Sequence, residues 1–150
     1  MVERTAKLHD VITVTRAASV MEAAALMRKF HVGAVVVVDD RAGKKVPVGI
    51  LTDRDIVVEG VAAGLDPTTL AVGEIVQRPL ATAMANWSSA AIVREMSIRG
   101  VRRLPVVNDD GSLAGIVSLD DVLLDLVTPL VAVADLAGRE RSFEAHTRTS

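Results

Sequence analysis

The order of apolar and polar positions predicts five elements, and the chain runs through that order twice. A short β-branched run is followed by an amphipathic helix, two further strands and a second helix. The predicted spans are 11–14, 19–30, 34–38, 46–51 and 53–63 in the first copy, and 80–84, 88–99, 103–108, 113–118 and 119 onward in the second. Between the copies we expect a turn at Asp66-Pro67 and a short helix at 72–76.

Local signals support these bounds. Ser19 and Glu22 form a capping-box pattern at the start of the first helix. The unbroken valines of 34–38 predict a strand that is covered on both faces. Gly64 and Gly100 follow apolar helical stripes and are expected to end those helices.

The two copies carry the same turn between their last strand and last helix. Gly49-Ile50-Leu51-Thr52-Asp53-Arg54-Asp55 returns as Gly115-Ile116-Val117-Ser118-Leu119-Asp120-Asp121, and Ser19 to Asp40 aligns without a gap with Ser88 to Asp109. A hydroxyl followed one helical turn later by a carboxylate is by itself a helix cap. Because glycine returns at the same place, the turn could instead admit a ligand, with a phosphate on the hydroxyl and N–H groups and ribose on the carboxylate. Both interpretations stay open at this point.

The repeat predicts an α/β (α+β) fold of two β-α-β-β-α units. One unit of this size would bury too little by itself, so we expect the two to pack as a pseudo-twofold pair. The predicted boundaries are 7–64 for the first repeat, 65–77 for the linker, 78–128 for the second repeat and 129–150 for a helical extension with a frayed polar tail. Half of the 150 residues are apolar and only two Phe and one Trp occur, so the core must be aliphatic.

Composition narrows the class of partner. A formal net charge of −2 and a pI near 5.9 give no basic field for a nucleic-acid backbone, and rings on which bases could stack are scarce. The most apolar stretch, 122–136, is interrupted by Asp125, Pro129 and Asp135, so no membrane span is expected. With no cysteine and no leader pattern, the sequence favours a cytoplasmic protein that binds neither nucleic acid nor membranes.

No residue pattern predicts catalysis or a metal site. The repeated hydroxyls have no histidine near them in the sequence, and His9, His31 and His146 share no metal-ligand spacing. His31 is interpreted as a helix C-terminal residue. We therefore expect a non-enzyme without an obligatory cofactor. Three methionines at helical spacing are predicted to be core, and two acidic segments are predicted to be hairpin turns: Met21, Met27 and Met96, and Asp39-Asp40 and Asp109-Asp110-Gly111.

Taken together, the motifs resemble a tandem pair of cystathionine-β-synthase (CBS) domains, the Bateman module, of the small stand-alone bacterial type. The resemblance covers about residues 7–126 and rests on the doubled element order with Gly-x-x-[Thr/Ser]-x-x-Asp in each copy. It extends to Leu51-Thr52-Asp53-Arg54-Asp55-Ile56-Val57 and Gly100-Val101-Arg102-Arg103-Leu104-Pro105-Val106-Val107. It implies a non-catalytic regulatory module that senses AMP, ADP, ATP or S-adenosylmethionine in the cleft between the repeats, or that binds no ligand.

Carried over residue by residue, the resemblance implies two ligand sites, each joining the turn of one repeat to the first two strands of the other. The first site comprises Thr52, Arg54, Asp55, Ala81, Thr82, Arg102, Arg103 and Pro105. The second comprises Thr13, Ala34, Val36, Ser118 and Asp121. The first gathers three arginines, the side chain best suited to phosphate, whereas the second has Asp120 in place of Arg54 and Gly33-Ala34 in place of the arginine pair. We therefore expect an adenosine nucleotide at the first site in preference, although both arginines of that pair could equally be solvated surface charges.

Family members usually pair two modules, so a homodimer is expected. An aliphatic face continues beyond the second repeat with no core left to cover it, formed by Val122, Leu123, Leu126, Val127, Leu130 and Val131. Pro129 is expected to kink or break the helix that carries this face. No catalytic or channel domain accompanies the repeats, so the module is expected to act on an unidentified effector protein in trans. The alternatives are a ligand-free dimeric scaffold and an S-adenosylmethionine-binding pair.

Overall fold

The computed structural model of the chain describes residues 11–76 and 79–147, with side chains described as far as residue 139. Several positions named above lie outside what is described. They are the predicted start of the first repeat at Lys7, His9, Gln77, residues 148–150 and the His146 side chain. Within the described ranges the predicted order of elements occurs twice, as a mixed α/β fold with one three-stranded sheet in each repeat. The predicted fold class is confirmed.

The first repeat begins with a short strand and ends in an unusual helix. Its elements are β1 Thr13–Val14, α1 Val20–Phe30, β2 Ala34–Arg41, β3 Lys44–Thr52 and α2 Asp53–Asp55, which continues as a π-helical segment Ile56–Val61. The short helix α3 Val72–Ile75 follows, as predicted. The predicted helix 53–63 is therefore two conformations in succession, and Gly64 at φ +69° lies in the turn after it.

The second repeat follows the sequence prediction more closely. Its elements are β4 Ala83–Met84, α4 Ser89–Arg99, β5 Arg103–Val107, β6 Leu113–Ser118 and α5 Leu119–Thr147. Ser88 caps α4 by accepting from the Ala91 N–H, and Gly100 ends it in the left-handed region, as expected. The strands β1 and β4 are shorter than predicted.

The two sheets have the same topology and the same irregularity. In each, the first strand pairs parallel to the second and the second pairs antiparallel to the third. The antiparallel register shifts between Val37 and Val38 in one sheet and between Val106 and Val107 in the other. Because a bulge bends the strand that carries it, both hairpins curve at equivalent places.

One predicted hairpin turn was wrong and the other is confirmed. Asp39 and Asp40 lie within β2, because Ala42 and Gly43, both at positive φ, make a tight turn that lets pairing continue to Arg41 and Lys44. In the second repeat Gly111, at φ +80°, closes the turn that was predicted there.

Each repeat has its own aliphatic core. Val35, Val37 and Leu51 are buried in the first, and Leu104, Val106 and Val117 in the second. All four valines from 35 to 38 are buried, as the unbroken run predicted. Met27 and Met96 are core residues as expected, whereas the prediction was wrong for Met21, which is 45% exposed on the outer face of α1.

The linker folds back on the first repeat. Val20 donates its N–H to the Leu70 carbonyl at 2.9 Å, and Val72 donates to the Ala18 carbonyl at 2.8 Å. Val72 is fully buried in the first core. The repeats themselves meet where β3 packs beside β5 and β6, and an ion pair of 2.5 Å joins Lys44 of one hairpin to Asp110 of the other.

Helix α5 passes through Pro129 and continues to Thr147, so the expected break at the proline and the frayed tail from residue 139 to 147 were wrong. Proline removes one backbone donor from the helical hydrogen bonds, and in the same turn the Thr128 hydroxyl donates to the Leu124 carbonyl at 2.7 Å.

The aliphatic face predicted beyond the second repeat needs one correction. Val122 is fully buried in the second core, whereas the other five residues of that face are exposed.

Candidate ligand-binding site

Both repeated turns form capping boxes with closely similar geometry. In the first, Asp55 Oδ2 accepts from the Thr52 N–H at 2.9 Å and from its hydroxyl at 2.7 Å, while the Asp55 N–H donates to Thr52 Oγ1 at 3.2 Å. In the second, Asp121 Oδ2 accepts from the Ser118 N–H at 2.8 Å and from its hydroxyl at 2.5 Å, and the Asp121 N–H donates to Ser118 Oγ at 3.3 Å. The capping interpretation therefore holds in both copies, and ligand binding depends on what surrounds each cap.

The glycine of the first turn serves packing. A Cβ added at Gly49 would collide with the Val76 side chain, which comes from the linker. Gly49 is buried for this reason. The recurrence of glycine in the sequence therefore does not by itself indicate an approach path for a ligand in the first copy.

Strand register decides which side chains stand beside the two hydroxyls. Thr52 pairs with Ala34 across β2 and β3, and Ser118 pairs with Arg103 across β5 and β6. Side chains that are direct cross-strand partners lie on the same face. The Ser118 turn thus has a guanidinium as its neighbour, whereas the Thr52 turn has a methyl group.

A cavity of about 260 Å³ lies between the two repeats at the Ser118 turn. The first repeat lines it with residues 11–12 and 31–34, and the second with Arg103, Ile116, Ser118 and Asp121. The carboxylate, the hydroxyl and the guanidinium therefore meet apolar side chains of the opposite repeat. The cavity thus brings the turn of the second repeat beside the segments that lead into the first two strands of the first repeat. The family resemblance implied this arrangement for the second site.

The structure gathers some residues of the predicted second site and not others. Ala34, Ser118 and Asp121 line the cavity. Thr13 is outside the lining, and its hydroxyl accepts from Lys45 Nζ at 3.2 Å. Val36 is fully buried in β2, so its side chain belongs to the core.

The residues predicted for the first site are more dispersed. Thr52 and Asp55 are half-buried at their turn, Arg54 is exposed, and Asp55 Oδ1 has no hydrogen-bond partner among the described residues. Ala81 and Thr82 are half-buried just before β4, and Arg102 is exposed, with its carbonyl accepting from the Leu119 N–H at 2.8 Å. Pro105 is fully buried in β5. Arg103, which the sequence assigned to this site, lines the cavity of the second.

Sequence reasoning also missed His31, Val32 and Ile116 as cavity residues. His31 ends α1 in the left-handed region, at φ 53° and ψ 43°. The signal that could have found it is the alignment, since Gly100 occupies the equivalent cap at φ 64° in the second repeat.

A second, open depression of about 470 Å³ lies against the hairpin of the second repeat and is lined by Ala85, Asn86, Asn108, Asp109 and Asp110. The ammonium of Lys44, with further hydrogen bonds from Ser112, holds the pKa of Asp110 below its ordinary value.

Within the described ranges, no three or more His, Asp or Glu side chains are grouped to hold a metal ion. No described helix has the length and hydropathy needed to cross a membrane.

Comparisons with known proteins agree with this architecture. The family profile for the CBS domain matches the chain twice, over residues 6–61 and 72–128. The uncharacterized protein MK0525 of Methanopyrus kandleri is 37% identical over 115 residues, which make up 77% of this chain and 57% of that protein. Hypoxic response protein 1 of Mycobacterium tuberculosis is 40% identical over 102 residues, or 67% of each chain.

Solved structures show the same fold. The crystal structure of Hypoxic Response Protein I with two coordinated zinc ions matches at a TM-score of 0.68 and 34% identity, covering 79% of this chain and 94% of that one. A putative signal-transduction protein with CBS domains from Burkholderia ambifaria MC40-6 matches at a TM-score of 0.69 and 28% identity, covering 79% of this chain and 84% of that one. The zinc ions belong to the first of these proteins.

Proposed function

We propose that this chain, which belongs to the CBS domain family and carries two CBS domains, is a non-catalytic regulatory module that binds an adenosine nucleotide between its repeats and signals to a partner protein in trans. The observation that carries the proposal is the inter-repeat cavity in which Arg103, Ser118 and Asp121 meet apolar side chains of the other repeat. The signal-transduction description of one structural relative supports the regulatory part.

Each part of a nucleotide has a matching group in this cavity. The Asp121 carboxylate can accept from ribose hydroxyls, and charge-assisted hydrogen bonds of this kind are among the stronger polar contacts. The Ser118 hydroxyl and the N–H groups of Leu119 and Asp121 are engaged in the cap itself. A phosphate would therefore be held by the Arg103 guanidinium, a planar donor of opposite charge, and by the positive end of the α5 dipole. Ile12 and Ile116 supply apolar surface for the base.

The size of the cavity favours a monophosphate. Small-molecule sites typically enclose about 300–1,000 Å³, and the volume of about 260 Å³ here lies just below that range. AMP fits such a space better than ATP, which has two more phosphate groups. An adenosine nucleotide as the ligand also implies the cytoplasm as the place of action.

We propose the Ser118 site as the principal one, which reverses the order expected from the sequence. That order rested on an arginine cluster near Thr52, whereas the present order is supported by Arg103, which pairs with Ser118 across β5 and β6 and lines the cavity at that turn. The Thr52 turn leads into only three residues of α-helix before the π-helical segment, whereas Ser118 precedes a regular helix of 29 residues. A regular helix aligns its peptide dipoles, so the positive potential at its N-terminus favours a bound anion.

The test is ligand-dependent stability of the whole chain. A ligand that binds only the folded state must raise the melting temperature by mass action. We expect AMP and, more weakly, ADP and ATP to do so, whereas S-adenosylmethionine, a cation facing Arg103, should have little effect. Isothermal calorimetry gives the stoichiometry. A chain that responds to none of the four would instead be the ligand-free scaffold.

We also propose that the module is a homodimer through the exposed face of α5. Leu123, Leu126, Val127, Leu130 and Val131 are each between 46% and 66% exposed along successive turns of this helix. A contiguous apolar surface of this kind is typical of an interface. Light scattering should give twice the chain mass of 15.9 kDa, and Leu126→Glu with Leu130→Glu should give the monomer mass. A wild-type particle of single-chain mass would contradict this proposal without touching the nucleotide site.

A further inference from the structure

His31 holds a backbone conformation that few residues other than glycine adopt, although histidine is among those that adopt it more often. At φ 53° and ψ 43° it lies in the left-handed region, which glycine adopts readily and other residues adopt at a cost. The second repeat places Gly100 in the same cap, at φ 64° and ψ 34°. The first repeat therefore keeps a side chain where its sister copy has none.

The helix cap does not need that side chain. The bonds that close α1 come from backbone groups, with the N–H groups of His31 and Val32 both donating to the Met27 carbonyl. Glycine would make the same bonds at lower conformational cost. Residues held in sparsely populated backbone regions cluster at active sites and ligand-binding sites, so a left-handed non-glycine residue at a cavity is a candidate for a ligand contact.

His31 lines the cavity. Among the residues that line it, all of them within the described ranges, His31 alone carries a ring. The neighbouring ring of Phe30 is engaged elsewhere, with Lys29 Nζ 5.3 Å from its centroid. Arg103, Ser118 and Asp121 come from the opposite repeat, so a ligand held by them would have His31 on the side of the first repeat.

We propose that His31 is the base-contacting residue of this cavity, stacking on the purine of a nucleotide and giving the site its preference for a purine nucleotide over a bare ribose phosphate. The proposal rests on the proposed nucleotide-binding function. It divides the ligand between the repeats: the second repeat holds the ribose and phosphate, and the ring contributed by the first repeat reads the base.

The test compares two ligands that share the ribose and the phosphate. Binding of AMP and of ribose 5-phosphate is measured by calorimetry for the wild type, His31→Gly and His31→Asn. Both substitutions suit the left-handed backbone, and the asparagine variant keeps a polar side chain should the glycine variant fold poorly. We expect AMP affinity to fall by about tenfold, in line with loss of one stacking contact, while ribose 5-phosphate affinity stays unchanged and the melting temperature of His31→Gly does not fall.

A matched control separates backbone strain from binding. Ala42 is the other non-glycine residue at positive φ in the described ranges, at 54°, and it lies in the hairpin turn outside the cavity lining. Ala42→Gly should relieve strain of the same kind and leave AMP affinity unchanged.

Two results would overturn the role of His31 while leaving the nucleotide site intact. One is an unchanged AMP affinity in both His31 variants. The other is an equal loss for AMP and ribose 5-phosphate, which would mean that the imidazole contacts the phosphate or ribose. Failure of the wild type to bind AMP would instead remove the proposed function, and this inference with it.

Discussion

The turns at Thr52 and Ser118 have the same cap and different surroundings. Their hydroxyl, carboxylate and N–H groups make the same three hydrogen bonds. Across the strand pair, however, Thr52 faces Ala34 and Ser118 faces Arg103. The repeated motif thus secures a helix start in both copies, and the chemistry of each site is set by residues that the motif does not contain.

The helices that follow the two turns differ as well. After Asp55 the chain forms hydrogen bonds from Ala62 to Val57 and from Leu65 to Gly60, the wider spacing of a π-helix. This segment packs against the linker, where Leu70 lies 3.8 Å from the position of a Cβ on Gly60. Helix α5 after Ser118 is regular from its first turn. The π-helical segment of the first copy thus packs against the linker, whereas the helix of the second copy is regular.

The largest expected difference between the copies is in their carboxylates. Asp121→Ala should weaken AMP binding at least about tenfold, because each charge-assisted hydrogen bond to ribose contributes roughly 1.5–3 kcal/mol. Asp55→Ala should have a much smaller effect on AMP affinity. Calorimetry on both variants measures the difference, and chemical denaturation provides the control, since both lose an equivalent capping box and should be destabilised alike.

Equal losses of AMP affinity from the two carboxylate substitutions would show that both copies bind nucleotide. Loss from Asp55→Ala alone would restore the order that the sequence predicted and would move the principal site to the Thr52 turn.

The two adjacent arginines allow a residue of the cavity lining to be compared with an exposed neighbour. Arg103→Ala should weaken AMP binding by about tenfold, through loss of a guanidinium beside Ser118. Arg102→Ala is the matched control, because Arg102 is exposed and outside the cavity lining, and it should change affinity little. AMP binding by the wild type should weaken as salt rises, and this dependence should be smaller in Arg103→Ala. An unaltered AMP affinity in Arg103→Ala would make both arginines solvated surface charges.

The fold was accessible from the sequence because its signals are local. The capping box at Ser19, the left-handed cap at Gly100 and the valine run of β2 each depend on neighbours in the chain. The repeat doubled every such signal. Glycine and charge marked a hairpin loop within residues 40–45, but local patterns could not show that strand pairing continues to Arg41 and Lys44 and confines the turn to Ala42 and Gly43. Nor could they show the passage of α5 through Pro129, where a helix-breaking tendency is overridden.

The candidate site was only partly accessible because it depends on distant neighbours. The sequence identified Ser118, Asp121 and Ala34 as residues of one site. It did not show that Arg103 pairs with Ser118 and lines the same cavity, because family correspondence gave the repeat and not the strand register. Val36 and Pro105 were included by their position in the motif, and their complete burial was not visible in the pattern. His31 was interpreted as a helix C-terminal residue, and this is confirmed. No pattern in the sequence indicated that it also lines the cavity.

The caps themselves should be equal in their contribution to stability. Thr52→Ala and Ser118→Ala each remove the side-chain half of a capping box, so each should lower the free energy of unfolding by about 1 kcal/mol. Urea denaturation without ligand measures both values. A loss of stability in only one of the two variants would contradict the structural equivalence of the two turns. Differences in ligand binding between the turns could then reflect a difference in folding.

The smallest expected effect concerns the ion pair that joins the two hairpins. The pKa of Asp110 lies below its ordinary value of 3.8, chiefly because Lys44 donates to it and secondarily because Ser112 does. A lowered pKa means that the ionised carboxylate stabilises the fold above about pH 4 and that this contribution is lost as the pH falls further. Both side chains are exposed, so the effect on stability should be slight.

The test is titration by NMR of the wild type and Lys44→Met. We expect the pKa of Asp110 to lie nearer its ordinary value in the variant. The internal control is Asp66, whose pKa is lowered by Thr68 alone and should not change. Identical titration of Asp110 in both proteins would mean that the hairpins of the two repeats are not joined through this contact in solution.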